Sequence, residues 1–314
     1  MIPMFFSIDN TYAPYLATAL RSAICHADPD RTYKAIILHD DLHKEHQKKL
    51  ASLSTDNVSI EFVPMKNGLE SITDTISNRL RCDYFTLTIY FRLFIPAMFP
   101  QYDKAIYFDS DVVLLQDPAK LFDIDLGDDL IGACVDRSVG HVPELAYYME
   151  EAVGVPKDQY INSGILLMNL KALREVKLDQ HFLSLLGTYH FDCIAPDQDY
   201  LNAMCNGKIH YLDASWDTMP NDAKPPLAHT NLIHYNLFSK PWCYDGIQYA
   251  DEFWHYASDS GYIDEIRAFK AAYSDEKKAE DRACLELLIR RGTEIPENDI
   301  TFKKMRAKGV KIRL

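Results

Sequence analysis

Asp109 and Asp111 are two carboxylates one residue apart, set between the apolar runs 105–108 and 112–115. Aspartate is depleted in strands, so acids that split a hydrophobic stretch need a reason. Alternate residues of an extended chain face one side. Two converging carboxylates are unfavourable unless a cation or a proton neutralises them. A divalent ion that also holds a diphosphate would supply that cation; the competing reading is a pair of turn residues joining two strands. Four D-x-D pairs occur in the chain, and only this one lies between apolar runs. Asp28/Asp30 and Asp123/Asp125 sit in polar stretches and read as solvated turns.

Other residues could serve the same chemistry. His234 follows a short apolar run, and imidazole suits manganese or zinc better than magnesium or calcium. Lys240, six residues on and followed by Pro241, could hold phosphate oxygens of a leaving group; the plainer reading is a core histidine and a surface lysine. Asn162-Ser163-Gly164 precedes an apolar run, which suits either a close backbone approach to a ligand or an ordinary turn. Pro196-Asp197-Gln198-Asp199 opens a helical stretch; Asp197 as N-cap and Asp199 against the helix dipole account for the acids, leaving Gln198 without a role. Asp9, Thr11 and Tyr12 follow the first strand, where open α/β sheets place ligands, though Asp9 could equally cap the next helix. Arg92 lies on an apolar helix and must snorkel or pair with a carboxylate or phosphate.

The elements that hold these residues alternate. Strands are expected at 3–8, 33–38, 59–63, 105–108, 112–115, 130–135, 164–169 and 232–235. Helices are expected at 12–26, 42–53, 86–99, 173–187 and 198–206. This alternation predicts an α/β fold with a Rossmann-like, mainly parallel central sheet flanked by helices. No linker, repeat or low-complexity tract divides the chain. The composition shifts near residue 275, where a charged helix at 274–291 leads into a basic tail. The expected organisation is one domain over 1–274 and a helical, basic appendage over 275–314.

Composition narrows the class. The 314 residues carry 33 Lys plus Arg against 46 Asp plus Glu, a net charge of −13. Such a body repels phosphate polymers, so no nucleic-acid partner is expected. No apolar run approaches the roughly 20 residues of a membrane span, and the first residues read as a strand, not a signal peptide. The seven cysteines are scattered and never spaced C-x-x-C, which points to reduced thiols and a cytoplasmic location. In the tail, Lys303, Lys304, Arg306, Lys308, Lys311 and Arg313 alternate with Met305, Val310, Ile312 and Leu314. That pattern could dock at the inner face of an anionic membrane or form a solvated end.

Taken in order, Phe6-Ser7-Ile8-Asp9-Asn10-Thr11-Tyr12, Arg92, Tyr107-Phe108-Asp109-Ser110-Asp111, Asn162-Ser163-Gly164, Asp197-Gln198-Asp199 and His234 to Lys240-Pro241-Trp242 resemble the family 8 retaining glycosyltransferases. That group includes bacterial lipopolysaccharide galactosyl- and glucosyltransferases and glycogenin. The resemblance covers roughly residues 1–260. It implies a GT-A fold, a UDP-sugar donor such as UDP-glucose or UDP-galactose, Mn²⁺ (with Mg²⁺ as an alternative), and a glycan or lipid-linked sugar as acceptor. By resemblance, Asp109, Asp111 and His234 are the metal ligands. Ser7, Asp9, Thr11 and Tyr12 match positions around the uridine, Lys240 matches the residue on the diphosphate, and Ser110 lies between the two acids. Arg92, Asn162, Ser163, Asp197 and Gln198 match positions around the donor sugar, and Asp136 a position near the sugars. One departure stands out: bacterial galactosyltransferases carry a glycine midway between the histidine and the lysine, where this chain has Leu237.

The expected reaction is hexosyl transfer with retention, by front-face attack with Gln198 at the anomeric centre or by double displacement on Asp197. A sugar nucleotidyltransferase is the alternative enzyme, though no Gly-rich, basic phosphate loop follows the first strand. A non-catalytic sugar-nucleotide-binding protein on the same fold is the third reading.

Overall fold

The computed structural model describes residues 1–65, 87–221 and 225–314; Cys82 and Thr86, the latter expected to open a helix, lie outside them. In chain order come β1 (Ile2–Ile8), α1 (Ala13–His26), β2 (Tyr33–His39), α2 (Lys44–Ala51) and β3 (Val58–Pro64). A 3₁₀ turn at Leu87–Tyr90 leads into α3 (Phe91–Met98), β4 (Ala105–Phe108), β5 (Val112–Leu114), α4 (Pro118–Phe122) and β6 (Ile131–Ala133). Next are α5 (Pro143–Tyr148), β7 (Ile165–Met168), α6 (Leu170–Glu175), α7 (Leu178–Tyr189), α8 (Pro196–Cys205), β8 (Ile209–Tyr211) and β9 (Leu232–His234). The chain closes with α9 (Ala250–Ala257), α10 (Ile263–Ala272), α11 (Asp275–Glu294) and α12 (Phe302–Ala307).

Among the described residues, the main sheet has the order β3-β2-β1-β4-β7-β6-β8. β1 pairs parallel with β2 and β4, β2 with β3 and β6 with β8, while β7 runs antiparallel to both neighbours. The sheet is therefore mixed but mostly parallel, with helices on both faces, as the α/β reading requires. Period-two alternation sorts the strand side chains into two cores. Phe5, Tyr107 and Leu166 pack with α3, α7 and α8, while Met4, Phe6, Ile106, Phe108 and Leu167 pack with α1. Burial on both faces is why β1 reads as one apolar run.

Two expectations change. β5 leaves the main sheet and pairs antiparallel with β9, with Val112 opposite His234. Asp109–Asp111 is the turn between the two sheets, not extended strand. The helix expected over 173–187 is two helices, parted at Lys177, whose φ is 55°; the apolar spacing runs through the break because it reports side-chain type, not backbone angle.

The C-terminal segment is folded against the rest of the chain. Ser274 caps α11 by accepting from the Lys277 amide. Leu288, Ile295, Phe302, Met305 and Ile312 are buried in the same core as α3 and α7, and Phe302 stacks on Phe191 with ring centroids 4.0 Å apart. Lys303 pairs with Glu151, Arg306 donates to the Gly154 carbonyl and Lys304 to those of Pro296 and Asn298. This corrects the reading of a free amphipathic tail: Met305 and Ile312, which would have entered a lipid surface, are core residues, so insertion would require the segment to unpack. Among the described residues no helix is long and apolar enough to cross a membrane.

Candidate functional site

A cleft of about 430 Å³ opens beyond the carboxyl ends of β1 and β4, where parallel strands leave room for a ligand. Its walls include Ser7 near the end of β1, Asp9 and Tyr12 after it, Arg92 from α3, Asp109–Asp111, Asn162 and Ser163 before β7, Asp197 and Gln198 from α8, His234 at the end of β9 and Lys240 beyond it. Each group comes from a different element, and the sheet order brings them together.

The antiparallel pairing of β5 with β9 sets the acids against the histidine. Val112 faces His234 across the ladder, and the Tyr235 amide donates to the Asp111 carbonyl at 2.9 Å. Asp109, Asp111 and His234 each offer a ligand atom, all within 4.8 Å of one another. His234 Nε2 lies 3.4 Å from Asp111 Oδ1 and 3.9 Å from Asp109 Oδ2. Two donors at right angles on an ion about 2.1 Å away lie ~3 Å apart, so small movements close the set. Two carboxylates and an imidazole fit a divalent cation and leave further coordination positions open.

The remaining oxygens are spoken for. Asp109 Oδ1 accepts from Arg92 Nη2 at 2.8 Å and from the Tyr107 hydroxyl at 3.0 Å. Asp111 Oδ2 accepts from Lys240 Nζ at 2.5 Å, and Lys240 also donates to the Tyr235 carbonyl. Burial would raise the Asp111 carboxyl, but Lys240 and His234 outweigh it and hold it well below the usual range. Burial would lower the His234 imidazole; Asp111 and Asp217 outweigh it and raise it to about 10. Lys240 thus acts as a resident counter-ion to Asp111.

In the same cleft Arg92 is almost fully buried and paired, not snorkelling. Besides Asp109 it meets Asp197, with Nε 3.2 Å from Oδ2, and donates to the Ser163 carbonyl at 2.6 Å. It also lies over the Tyr107 ring at 4.3 Å. Burial pulls the guanidinium down, and Asp109, Tyr107 and Asp197 more than restore its charge. Asp197 does not cap α8. Asp199 accepts from the Ala195 amide and from the hydroxyls of Tyr148 and Tyr160. Gln198 is held at both ends, accepting from the Ser163 amide at 3.1 Å and donating to Asp136 at 3.0 Å.

The sequence that builds this cleft matches the glycosyl transferase family 8 model over residues 3–246. The chain belongs to glycosyl transferase family 8. A protein of Haemophilus influenzae is 28% identical over 221 residues, covering 70% of this chain and 64% of its own length. The lipopolysaccharide 1,2-glucosyltransferase of Escherichia coli is 28% identical over 186 residues, 53% of each protein. The matches thus span about half to two thirds of these relatives. Two solved structures share the fold. Galactosyltransferase LgtC, solved with donor and acceptor sugar analogues, has a TM-score of 0.68 at 24% identity, covering 82% of this chain and 96% of its own. The bifunctional glycosyltransferase WbbM has a TM-score of 0.74 at 23% identity, covering 86% and 52%.

Within this family 8 chain, most of the expected side chains line one cleft, and two do not. Thr11 is exposed and outside the wall. Asp136 sits behind the wall, where it accepts from the Ser138 amide and hydroxyl, Asn162 and Gln198. Asp9 serves both of its readings, accepting from the Tyr12 amide at 3.1 Å while lining the cleft. Lys240 pulls the Tyr12 phenol down, but burial, Asp111, Asp9 and Asp109 outweigh it and push it up to about 12. Leu237 has φ 54°, so the departure from glycine changes the residue and keeps a left-handed backbone, at a cost of about 1–2 kcal/mol.

Three contributors escape sequence reasoning. Tyr107 was quoted only as part of a motif, yet its hydroxyl and ring hold Asp109 and Arg92. Gly164, read as a turn or close-approach residue, abuts His234 and Asp109. Asp217 is fully buried 3.0 Å from His234 Nδ1. A lone Asp after Trp216 carries no sequence signal for any of this.

Proposed function

We propose that this chain is a retaining hexosyltransferase that moves glucose or galactose from a UDP-sugar to a hydroxyl of a glycan or lipid-linked acceptor in cell-envelope synthesis. The observation that carries the reading is the convergence of Asp109, Asp111 and His234 with Lys240 in one cleft. The same cleft is lined by Asp9 and Tyr12, which we assign to the nucleoside, and by Arg92, Asn162, Asp197 and Gln198, which we assign to the donor sugar. Asp109, Asp111 and His234 would hold Mn²⁺ or Mg²⁺, and a bound ion supplies positive charge against the departing diphosphate. Lys240, released from Asp111, would add its ammonium to the same oxygens.

Front-face attack suits the sugar end better than double displacement. Asp197 is buried, paired with Arg92, and accepts from the Ser163 hydroxyl at 2.9 Å. A carboxylate so occupied is a poor nucleophile. In the proposed step the anomeric carbon–phosphate oxygen bond breaks, the acceptor oxygen bonds to that carbon from the same face, and its proton passes to the leaving UDP. Gln198, fixed at both ends, would position its amide beside the cationic carbon. A second hollow of about 260 Å³ shares Asn236 and Leu237 with the first and offers room for the acceptor.

The test is UDP release from a panel of UDP-sugars, with Mn²⁺ or with chelator. Metal-dependent release from one donor is expected, and Asp109→Ala or Asp111→Ala should abolish it. Wild-type turnover in either variant would overturn the metal assignment. Absence of release and of UDP binding by the parent chain would overturn the transferase reading.

A further inference from the structure

Asp217 closes a 3₁₀ turn at Ala214–Asp217, and no side chain near it in sequence does chemistry. Its surroundings nevertheless have an order. The Thr218 amide donates to the Leu232 carbonyl, the His234 amide donates to the Thr218 carbonyl, and Thr218 bridges in parallel to Ile233. The stretch therefore runs alongside β9, which sets the Asp217 side chain beside the His234 ring.

The contact is specific. Asp217 Oδ1 lies 3.0 Å from His234 Nδ1, both side chains being almost wholly shielded from solvent. The other ring nitrogen, Nε2, faces Asp111 and Asp109. Asp217 Oδ2 has no hydrogen-bond partner among the described residues. A buried carboxylate with an idle oxygen is costly, and packing alone would be served as well by an apolar residue of the same size. What it gains is one hydrogen bond, to the one ring whose orientation the site needs. A neutral imidazole that donates from Nδ1 must present a bare Nε2, and such a partner both fixes the ring and raises its strength as a ligand.

We propose that Asp217 is a positioning residue for the metal site: through the Nδ1 hydrogen bond it locks His234 with Nε2 turned toward the ion held with Asp109 and Asp111. It touches neither substrate nor metal and acts only through His234. The proposal rests on reading Asp109, Asp111 and His234 as metal ligands.

Asp217→Asn and Asp217→Leu separate this role from packing, since both keep the branched outline, leucine being the bulkier, and only asparagine can accept from Nδ1. Mn²⁺ is titrated directly, by counting free ion in the presence of UDP, with no sugar and no turnover. The leucine variant should bind Mn²⁺ about 10–100-fold more weakly, while the asparagine variant recovers most of that loss. At saturating Mn²⁺ the leucine variant should regain UDP affinity close to the parent's, which a collapsed site would not do. Asp217→Ala replaces the leucine variant if the latter fails to fold. Parental Mn²⁺ affinity in the leucine or alanine variant would overturn the positioning role, as would equal losses in the asparagine and non-accepting variants. A parent chain that binds no Mn²⁺ would overturn the metal reading itself, and this role with it.

Discussion

Gly164→Ala tests whether the metal triangle is as tightly walled as the structure indicates. A Cβ at residue 164 would lie 2.5 Å from His234 Cε1, 2.8 Å from Asp109 Oδ2 and 3.0 Å from Asn162 Oδ1. Ordinary carbon contacts are about 3.5–4.0 Å, so the imidazole would have to retreat by about 1 Å. It has little freedom to do so: Nδ1 is held by Asp217 and its backbone is paired with β5. Asp109 is tied to Arg92 and Tyr107. The backbone of Gly164 is not left-handed, so alanine brings no φ strain and the effect is purely steric. Overpacking of this kind costs about 1–3 kcal/mol, read as a lower urea midpoint at unchanged slope. A 1 Å displacement of a reacting group costs about 10²-fold in rate, so Mn²⁺-dependent UDP release should fall by that order while UDP affinity without metal holds. Parental Mn²⁺ affinity and rate in the alanine variant would refute the close approach, and with it the placement of His234 beside Asp109.

Lys240→Met should bind Mn²⁺ more tightly in the absence of nucleotide, because the ammonium now occupying Asp111 no longer competes, yet it should turn over about 10²–10³-fold more slowly; calorimetry with and without UDP distinguishes the two effects, and weaker metal binding would remove the counter-ion role. Because His234 is raised to about 10 without metal, a ligating Nε2 must shed a proton. Apparent Mn²⁺ affinity should therefore climb about tenfold per pH unit from pH 7 to 9, with proton release measurable in buffers of different ionisation enthalpy. The same shift has a stability sign. A histidine raised from 6.5 to about 10 contributes fully below pH 6.5 and loses that contribution as pH rises toward 10, so metal-free protein should melt lower at pH 9 than at pH 7. Gln198→Ala should lower turnover well beyond any change in donor affinity, and an unchanged rate would remove Gln198 from the chemistry.

What could be read in the sequence, and what could not, divides along the range of the interaction involved. β1, β2, β4 and β7 are largely apolar because both faces are covered, so short buried runs announced them within a residue or two. Asp109 and Asp111 were conspicuous because they broke such a run. The destination of β5 was not legible, since Val112–Leu114 is equally apolar whether it pairs inside the main sheet or with β9. The fate of the tail was illegible for a related reason: a basic stretch threaded with Met305 and Ile312 suits a lipid surface and a protein core alike. Only the presence of uncovered apolar surface around Phe191 and Tyr200 decides for the core.

The residues behind the cleft wall follow the same logic at shorter distance. Arg92 drew attention because a charge among apolar neighbours must be paired, and Asp197, expected as a helix cap, is one of its partners. Asp136 and Asp217 are also buried, but most of their partners, Asn162, Gln198 and His234, lie 17 to 62 residues away in the chain, with only Ser138 close by. Nothing in their own surroundings marks them as buried. Leu237 shows the converse. It stands where the resemblance places a glycine, and its backbone is left-handed all the same, with its side chain packed on the main core. The shape of this turn is thus held by what surrounds it more than by the residue at its tip. The metal-bearing end of the cleft is accordingly built from long-range pairings, β5 with β9 and Asp217 with His234, that a motif can point toward but only the fold can close.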